Sequence, residues 1–409
     1  MGVMSGYSLP LLFLTLFATA NLFIPAVHGG NCAESKSSTL LIVFGDSFFD
    51  VGYGNDELCL PSNDPPYGKS LNPEVRTGRF SDGLVVPDYI AKYLRLADDE
   101  GKVTAYKSSL NIQQTLQGCA SLSFAMAGAG VKQSADKSKS LSSQVDIFLG
   151  DSKKYFVESG AKFVGKQDET LYLFSIGTYD YLFNLHRMKD EEHVQDSAER
   201  VTAAIVDQVK RIAKDGSVTG KRFAFTTVAL RYLPVVQKVY YKDQSQLGLL
   251  DKLETIHHSK LGEKLAKLAQ ELRATGIMIN YSILQYHSII KAIMEGPEKY
   301  GLDRTTVMDA CCGDRSYNAD GCGHSDKRGC NDPTAYVFWD GMHNTQHINQ
   351  EIARIFWNGP TDMTFPQNLQ TLAGTRKPQY DFSVNADELI GSKCCLDTTQ
   401  KQETSSLSN

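Results

Sequence analysis

Two short stretches at opposite ends of the chain carry the residue types needed to attack a carbonyl. Gly45-Asp46-Ser47 supplies a hydroxyl, and Asp340-Gly-Met-His343 supplies a carboxylate three residues before an imidazole. A serine hydroxyl is a weak nucleophile until a base takes its proton, and that base works best when a third group fixes its tautomer and orientation. Ser47, His343 and Asp340 are the candidates for nucleophile, base and orienting acid. Each half alone has a plainer reading. Gly-Asp-Ser also suits a turn with a helix cap, and Asp-x-x-His also suits a cap beside a surface histidine.

The elements that must position these groups can be read from apolar patterning. Residues 39–44 form a β-branched and aromatic run without alternation, which suits a parallel strand buried on both faces. Ser47 then falls just past the carboxyl end of that strand, where open parallel sheets bind their ligands. Further strands are expected at 171–176, 223–228 and 277–281. Helices are expected at 87–94, at 197–214 with Val201, Ile205, Val209 and Ile212 on one face, at 250–272 with a leucine stripe, and at 346–357 just after His343. Strands alternating with helices of this length imply right-handed crossovers and a parallel sheet covered on both faces, so the expected architecture is a three-layer α/β/α sandwich.

Taken together, Gly-Asp-Ser-x-x-Asp at 45–50 and Phe-Trp-Asp-Gly-x-His at 338–343 resemble the plant GDSL esterase/lipase family, a branch of the SGNH hydrolases, over about residues 40–357. Supporting stretches are Gly78-Arg-Phe-Ser-Asp-Gly83, Ser123-Phe-Ala-Met-Ala-Gly-Ala-Gly130, Ser175-Ile-Gly-Thr-Tyr-Asp-Tyr181 and the Cys311-Cys312-Gly313 turn. The resemblance implies a flavodoxin-like parallel sheet, ester chemistry through a Ser47–His343–Asp340 triad, and no cofactor or metal. It assigns the oxyanion hole to the backbone N–H of Ser47, the N–H of Gly128 and an asparagine side chain, a position at which this chain has Tyr179. Ala127, Tyr53 and Tyr232 are further departures from the family pattern. Tyr179 and His343-Asn-Thr345 are similar to the myrosinase-associated and epithiospecifier-modifier-like members, for which simple lipase activity should not be assumed.

Composition bounds the remaining choices. The chain has 409 residues, 42% hydrophobic and 22% charged, with no linker or repeat before its tail. One hydrolase domain over 38–360 fits, preceded by a signal peptide at 1–29 and followed by a polar extension at 361–409 whose end is too poor in apolar residues to pack. A net charge of −5 without a basic run argues against nucleic-acid binding. Residues 8–27 read as the apolar core of a secretory signal, with an uncleaved anchor as the alternative, and no later segment is long enough to span a bilayer. A secretory route to the apoplast, vacuole or ER body follows.

Nine cysteines agree with that route. Cys311, Cys312, Cys322 and Cys330 crowd one Gly- and Asp-rich segment, while Cys32, Cys59, Cys119, Cys394 and Cys395 are dispersed. In an oxidising compartment such a cluster means disulfides closing loops, with the pairing left open. His324 inside the cluster raises a zinc site, but an adjacent pair followed by single cysteines does not match paired Cys-x-x-Cys ligation. Asn280-Tyr-Ser282 is the only N-glycosylation acceptor pattern in the chain, placed in or at the end of a strand.

Three functions remain in view. The first is a secreted hydrolase of small-molecule or lipid carboxylic esters. The second is an acyltransferase in which an acceptor alcohol outcompetes water for the same acyl-enzyme. The third, motivated by Tyr179, is a weakly catalytic partner protein.

Overall fold

The computed structural model describes residues 40–53, 61–71, 76–96, 102–106, 121–131, 140–154, 170–218, 220–323 and 329–374. The signal segment, the end of the tail, the dispersed cysteines and His324 lie outside the described residues.

In chain order the elements are β1 (Leu41–Gly45), α1 (Val86–Leu94), β2 (Thr104–Ala105), β3 (Ser121–Ser123), α2 (Leu141–Ser152), β4 (Leu171–Ser175), α3 (Thr178–Leu182), α4 (Glu191–Lys214), β5 (Arg222–Thr226), α5 (Pro234–Tyr240), α6 (Gln244–Arg273), β6 (Asn280–Leu284), α7 (Tyr286–Glu295), α8 (Gln346–Asn358), β7 (Thr364–Phe365) and α9 (Leu369–Ala373). The strands form one sheet in the order β2-β3-β1-β4-β5-β6-β7, in which every neighbouring pair is parallel except β6 with β7. Helices α2, α4 and α6 pack in sequence as one layer, and α1, α8 and α9 pack in sequence as the other. This is the three-layer α/β/α sandwich, with a mostly parallel sheet.

The unalternating apolar runs are explained by two-sided burial. All five residues of β1 and all five of β4 are buried. Register turns sequence pattern into packing: Phe44, Phe174 and Phe225 are direct cross-strand partners on β1, β4 and β5, and their rings stack at 5.1 Å centroid spacing in both pairs. Such pairs add about 0.5–1.5 kcal/mol each beyond the area they bury. The column sits under Phe148 of α2, whose ring meets Phe44 edge-on. It fixes the height of β1, the strand that leads to Ser47.

Several boundaries differ from the sequence expectation, the helix expected at 250–272 for one beginning at Gln244. The strand expected at 277–281 lies at 280–284, because the turn after α6 uses Gly276 at φ +83° and the ladder opens with Asn280 opposite Arg222. Asn280 is therefore exposed at the strand's start, while Ser282 is buried. Helix α4 begins at Glu191 rather than 197, with the Asp190 carboxylate capping the His193 N–H at 3.0 Å; its first turns are polar and carry little apolar signal. The sheet also continues past 360, where Thr364 and Phe365 add an antiparallel edge to β6 and α9 buries Leu369 and Leu372.

Candidate active site

The chain leaves β1 through a turn that only glycine can make. Gly45 has φ +152°, and a Cβ there would sit 2.1 Å from the Ser175 carbonyl oxygen of β4. The Gln144 side chain of α2 clamps the same residue, accepting from its N–H at 2.9 Å and donating to its carbonyl at 2.8 Å. Ser47 comes two residues later and is nearly buried.

Asp340, Gly341 and His343 form a tight turn just before α8. One carboxylate oxygen, Oδ1, accepts from the Met342 and His343 N–H groups at 2.8 Å each. Gly341 is required because a Cβ there would meet the Ala319 carbonyl oxygen at 2.3 Å. Thr345 then caps α8 through the Ile348 N–H. The turn delivers the imidazole to Ser47: His343 Nε2 lies 2.7 Å from Ser47 Oγ, and Nδ1 lies 2.9 Å from both Asp340 oxygens. With Nδ1–H donating to the carboxylate, Nε2 is left as the acceptor for the serine hydroxyl. The phenyl rings of Phe80 and Phe48 pack on the imidazole, at 4.7 and 5.2 Å between centroids.

The Asp340 carboxylate has one more partner. The Tyr67 hydroxyl donates to Oδ2 at 2.7 Å. Burial pushes the Asp340 carboxyl up, but the His343 ring, the Tyr67 hydroxyl and the Met342 N–H outweigh it and hold the carboxyl below its usual range. It stays an anion, which is what an orienting acid must be.

Three other carboxyls tie the loops together. Asp50 Oδ1 accepts from the Gly52 and Tyr53 N–H groups, and its Oδ2 accepts from the Ala127 N–H at 2.8 Å. Ala127 thus serves through its backbone, and its methyl in place of the family's glycine does not remove that donor. Asp180 accepts from the Val131 N–H at 3.0 Å, joining α3 to the same loop. Burial pushes Asp50 and Asp180 up to about 7 each. Burial and then the charge of Asp180 push Asp46 up to about 8, and its Oδ2 is buried without a hydrogen-bond partner among the described residues.

The three sequence-expected oxyanion donors fare differently. No hydrogen bond among the described residues uses the N–H of Ser47 or of Gly128, and the space on the Cβ side of Gly128, at φ +76°, is open for 4 Å. Both can turn to a ligand. Tyr179 is turned along its own helix: its ring stacks on Phe183 at 5.7 Å and 16° between planes, and Phe183 is 67% exposed. The hydroxyl takes no partner among the described residues.

The stretch 78–83 works from behind. Arg79 forms a buried bidentate pair with Asp88, Nε to Oδ2 at 2.8 Å and Nη2 to Oδ1 at 2.7 Å. That pins the segment carrying Phe80 to α1. Asp82 accepts from the Gln346 N–H at 2.7 Å, joining the segment to the start of α8. The cysteine cluster is used in two nested disulfides, Cys311–Cys330 and Cys312–Cys322. They brace the loop whose Cys311 and Cys312 N–H groups donate to the Phe338 and Trp339 carbonyls, immediately before Asp340.

A family model described as GDSL-like Lipase/Acylhydrolase matches residues 41–356, which includes both halves of this site. The chain belongs to the GDSL-like lipase/acylhydrolase family. It is 30% identical over 381 residues to GDSL esterase/lipase 2 of Arabidopsis thaliana, covering 84% of this chain and 93% of that one. It is 29% identical over 337 residues to the Inactive GDSL esterase/lipase-like protein 25 of the same plant, with 81% and 74% covered. GDSL esterase/lipase ESM1, also from Arabidopsis thaliana, is 27% identical over 374 residues, covering 88% of each chain. A solved carbohydrate esterase, whose active site is described as having divergent catalytic and non-catalytic binding functions, is 16% identical with a TM-score of 0.29, over 61% of this chain and 60% of that chain.

Within this GDSL-family chain, local sequence gives no sign that Phe48 and Phe80 contact His343 or that the Tyr67 hydroxyl reaches Asp340. Phe80 was within a quoted family stretch, but nothing local shows that its ring meets His343. Tyr232, noted as a departure, stacks on His287 at 6.2 Å. That histidine belongs to a group with Asp251 and Glu254. Arg231 already pairs with Asp251, His287 pairs with Glu254, and the Leu230 and Arg231 N–H groups donate to Glu254, so both carboxylates are already engaged. No helix among the described residues is long and apolar enough to cross a membrane.

Proposed function

We propose that the chain is a secreted carboxylic-ester hydrolase acting through an acyl-enzyme on Ser47. The observation that carries this is the 2.7 Å contact from His343 Nε2 to Ser47 Oγ, with Nδ1 on Asp340. His343 removes the hydroxyl proton as Ser47 Oγ attacks the ester carbonyl, and Asp340 stabilises the imidazolium that forms. The resulting oxyanion is met by the N–H groups of Ser47 and Gly128. Collapse expels the alcohol with the proton from His343. Water then repeats the sequence on the acyl-enzyme and releases the acid. If an acceptor alcohol takes the place of water, the same residues transfer the acyl group. Secretion is supported by the apolar segment at 8–27 and by disulfides, which persist in oxidising compartments.

A second reading, a weakly catalytic or binding protein, is favoured by Tyr179 in place of the asparagine donor and by a relative that is called inactive. A fluorophosphonate serine probe separates the two. Labelling of the wild type that is lost in Ser47→Ala supports the hydrolase, and analysis of products with and without added alcohol then separates hydrolysis from transfer. No labelling of folded wild type sinks it.

A further inference from the structure

We infer that Tyr67 is a positioning residue for Asp340, a fourth member of the site that acts through the triad without touching substrate. The inference rests on the hydrolase reading of Ser47, His343 and Asp340. Its basis is geometric. Asp340 Oδ1 is bound by two backbone N–H groups and shares Nδ1, whereas among the described residues Oδ2 has only that shared Nδ1 contact and the Tyr67 hydroxyl at 2.7 Å. Without the hydroxyl, a buried anionic oxygen would keep half a partner. The carboxylate plane, and with it the imidazole, would lose its second anchor.

Tyr67 is built to hold this place. Its ring meets Trp339 at 6.0 Å and Phe80 at 5.8 Å, both edge-on, within the cluster formed with Cys311 and Cys312. The backbone that follows is stitched to the stretch that carries Phe80: the Gly68 N–H donates to the Ser81 carbonyl at 3.0 Å and the Ser70 N–H to the Asp82 carbonyl at 2.8 Å. Lys69 reaches the Cys330 carbonyl, tying the loop to the disulfide-braced segment. Burial and the Asp340 charge push the phenol well above its usual range, so it remains a protonated donor. The hydroxyl is therefore rigid before substrate arrives, as preorganised electrostatics require.

The hydroxyl does two things. It fixes the rotation of the carboxylate, and it withdraws part of the negative charge that would otherwise bear on the imidazolium. Its removal lowers turnover because the carboxylate and imidazole lose an anchor, and it moves the acid limb of the rate profile to higher pH because an unshared carboxylate favours protonated imidazole.

The test is Tyr67→Phe in the full chain, which keeps the ring packing. With a short aryl ester the expected result is kcat down about tenfold with KM little changed, equivalent to about 1.4 kcal/mol, together with an acid limb displaced to higher pH. A ring-fluorinated tyrosine at position 67, a stronger donor of nearly the same size, is expected to displace the limb the opposite way. Unchanged kcat and an unchanged limb in the phenylalanine variant, even with a lower melting temperature, would show the hydroxyl to be structural only and overturn the inference. The deshielded Nδ1 proton of His343 in proton NMR provides a readout that needs no turnover. If wild type does not turn over, the hydrolase reading fails, and an Nδ1 resonance identical in wild type and Tyr67→Phe overturns the Tyr67 inference separately.

Discussion

The proposed oxyanion hole yields the sharpest prediction, because Tyr179 stands where the family resemblance expects its third donor. Tyr179 lies in α3, the helix whose Asp180 binds the Val131 N–H beside the Gly128 loop, but its ring is stacked on exposed Phe183. Two backbone N–H groups, of Ser47 and Gly128, are free to serve. Losing one oxyanion donor typically costs on the order of 10²–10³ in turnover, or about 2.7–4 kcal/mol. Two variants separate the possibilities. Tyr179→Phe removes only a hydroxyl that has no partner among the described residues, so turnover of a short aryl ester should stay within about twofold. Tyr179→Asn places a short amide donor on the same turn and should raise kcat by about tenfold or more, short of the full factor because the surrounding loop has not been shaped around it. Steady-state kinetics with KM and kcat resolved, with melting temperatures to confirm folding, provide the assay. A tenfold loss in Tyr179→Phe would refute the reasoning, since it would mean that α3 rearranges on binding and the phenol reaches the oxyanion. No gain in Tyr179→Asn would mean that the position is too far from the oxyanion for any amide to help.

Other perturbations follow from the same geometry. Gly45→Ala forces a Cβ onto the Ser175 carbonyl oxygen at 2.1 Å with φ at +152°, so it should cost about 3 kcal/mol; an unchanged denaturant midpoint would contradict this. Asp46, pushed by burial to about 8 from an ordinary 3.8, binds a proton on folding, so its contribution to stability is present at acid pH and is lost as pH rises through about 8. The corresponding slope approaches about 1.4 kcal/mol per pH unit between those values. Asp46→Asn should flatten the decline in unfolding free energy between about pH 5 and pH 7.5, and parallel curves for variant and wild type would refute it. Cys312→Ser with Cys322→Ser opens a loop of sequence separation 10 and should lower stability by about 2–3 kcal/mol. Because the Cys312 N–H holds the residue before Asp340, kcat should fall as well; full activity at temperatures where the variant is folded would show the brace to be irrelevant to the site.

Much of this molecule was legible in its sequence where local chemistry decides. The buried strands at 171–175 and 222–226, and the long helices, follow from apolar runs and stripes that no other element could bury. The strand at 280–284 begins three residues later than its apolar approach suggests, because Ile277 and Ile279 look like strand residues yet lie between the Gly276 turn and the start of the ladder with β5. The two-residue strands β2 and β7 and the short helix α3 left no readable pattern, being too brief to show a period.

The site divides in the same way. A nucleophile, an imidazole and a carboxylate are recognisable by type, and glycine at 45 and 341 is recognisable as a residue that lets backbones meet. Local pattern does not decide which groups touch across hundreds of residues: Ser47 with His343, at a separation of 296, is expected only from residue type and the family resemblance, and Tyr67 with Asp340, at 273, not at all. Nor could it decide the cysteine pairing or the direction of the Tyr179 ring. The sequence by itself determined the buried strands β1, β4 and β5, the long helices and the identity of the candidate reacting groups, because these depend on side-chain chemistry and short-range periodicity. Only the tertiary structure decided the hydrogen-bond partners of the site, because those depend on where packing brings distant backbone turns, and a local pattern carries no record of distance in space.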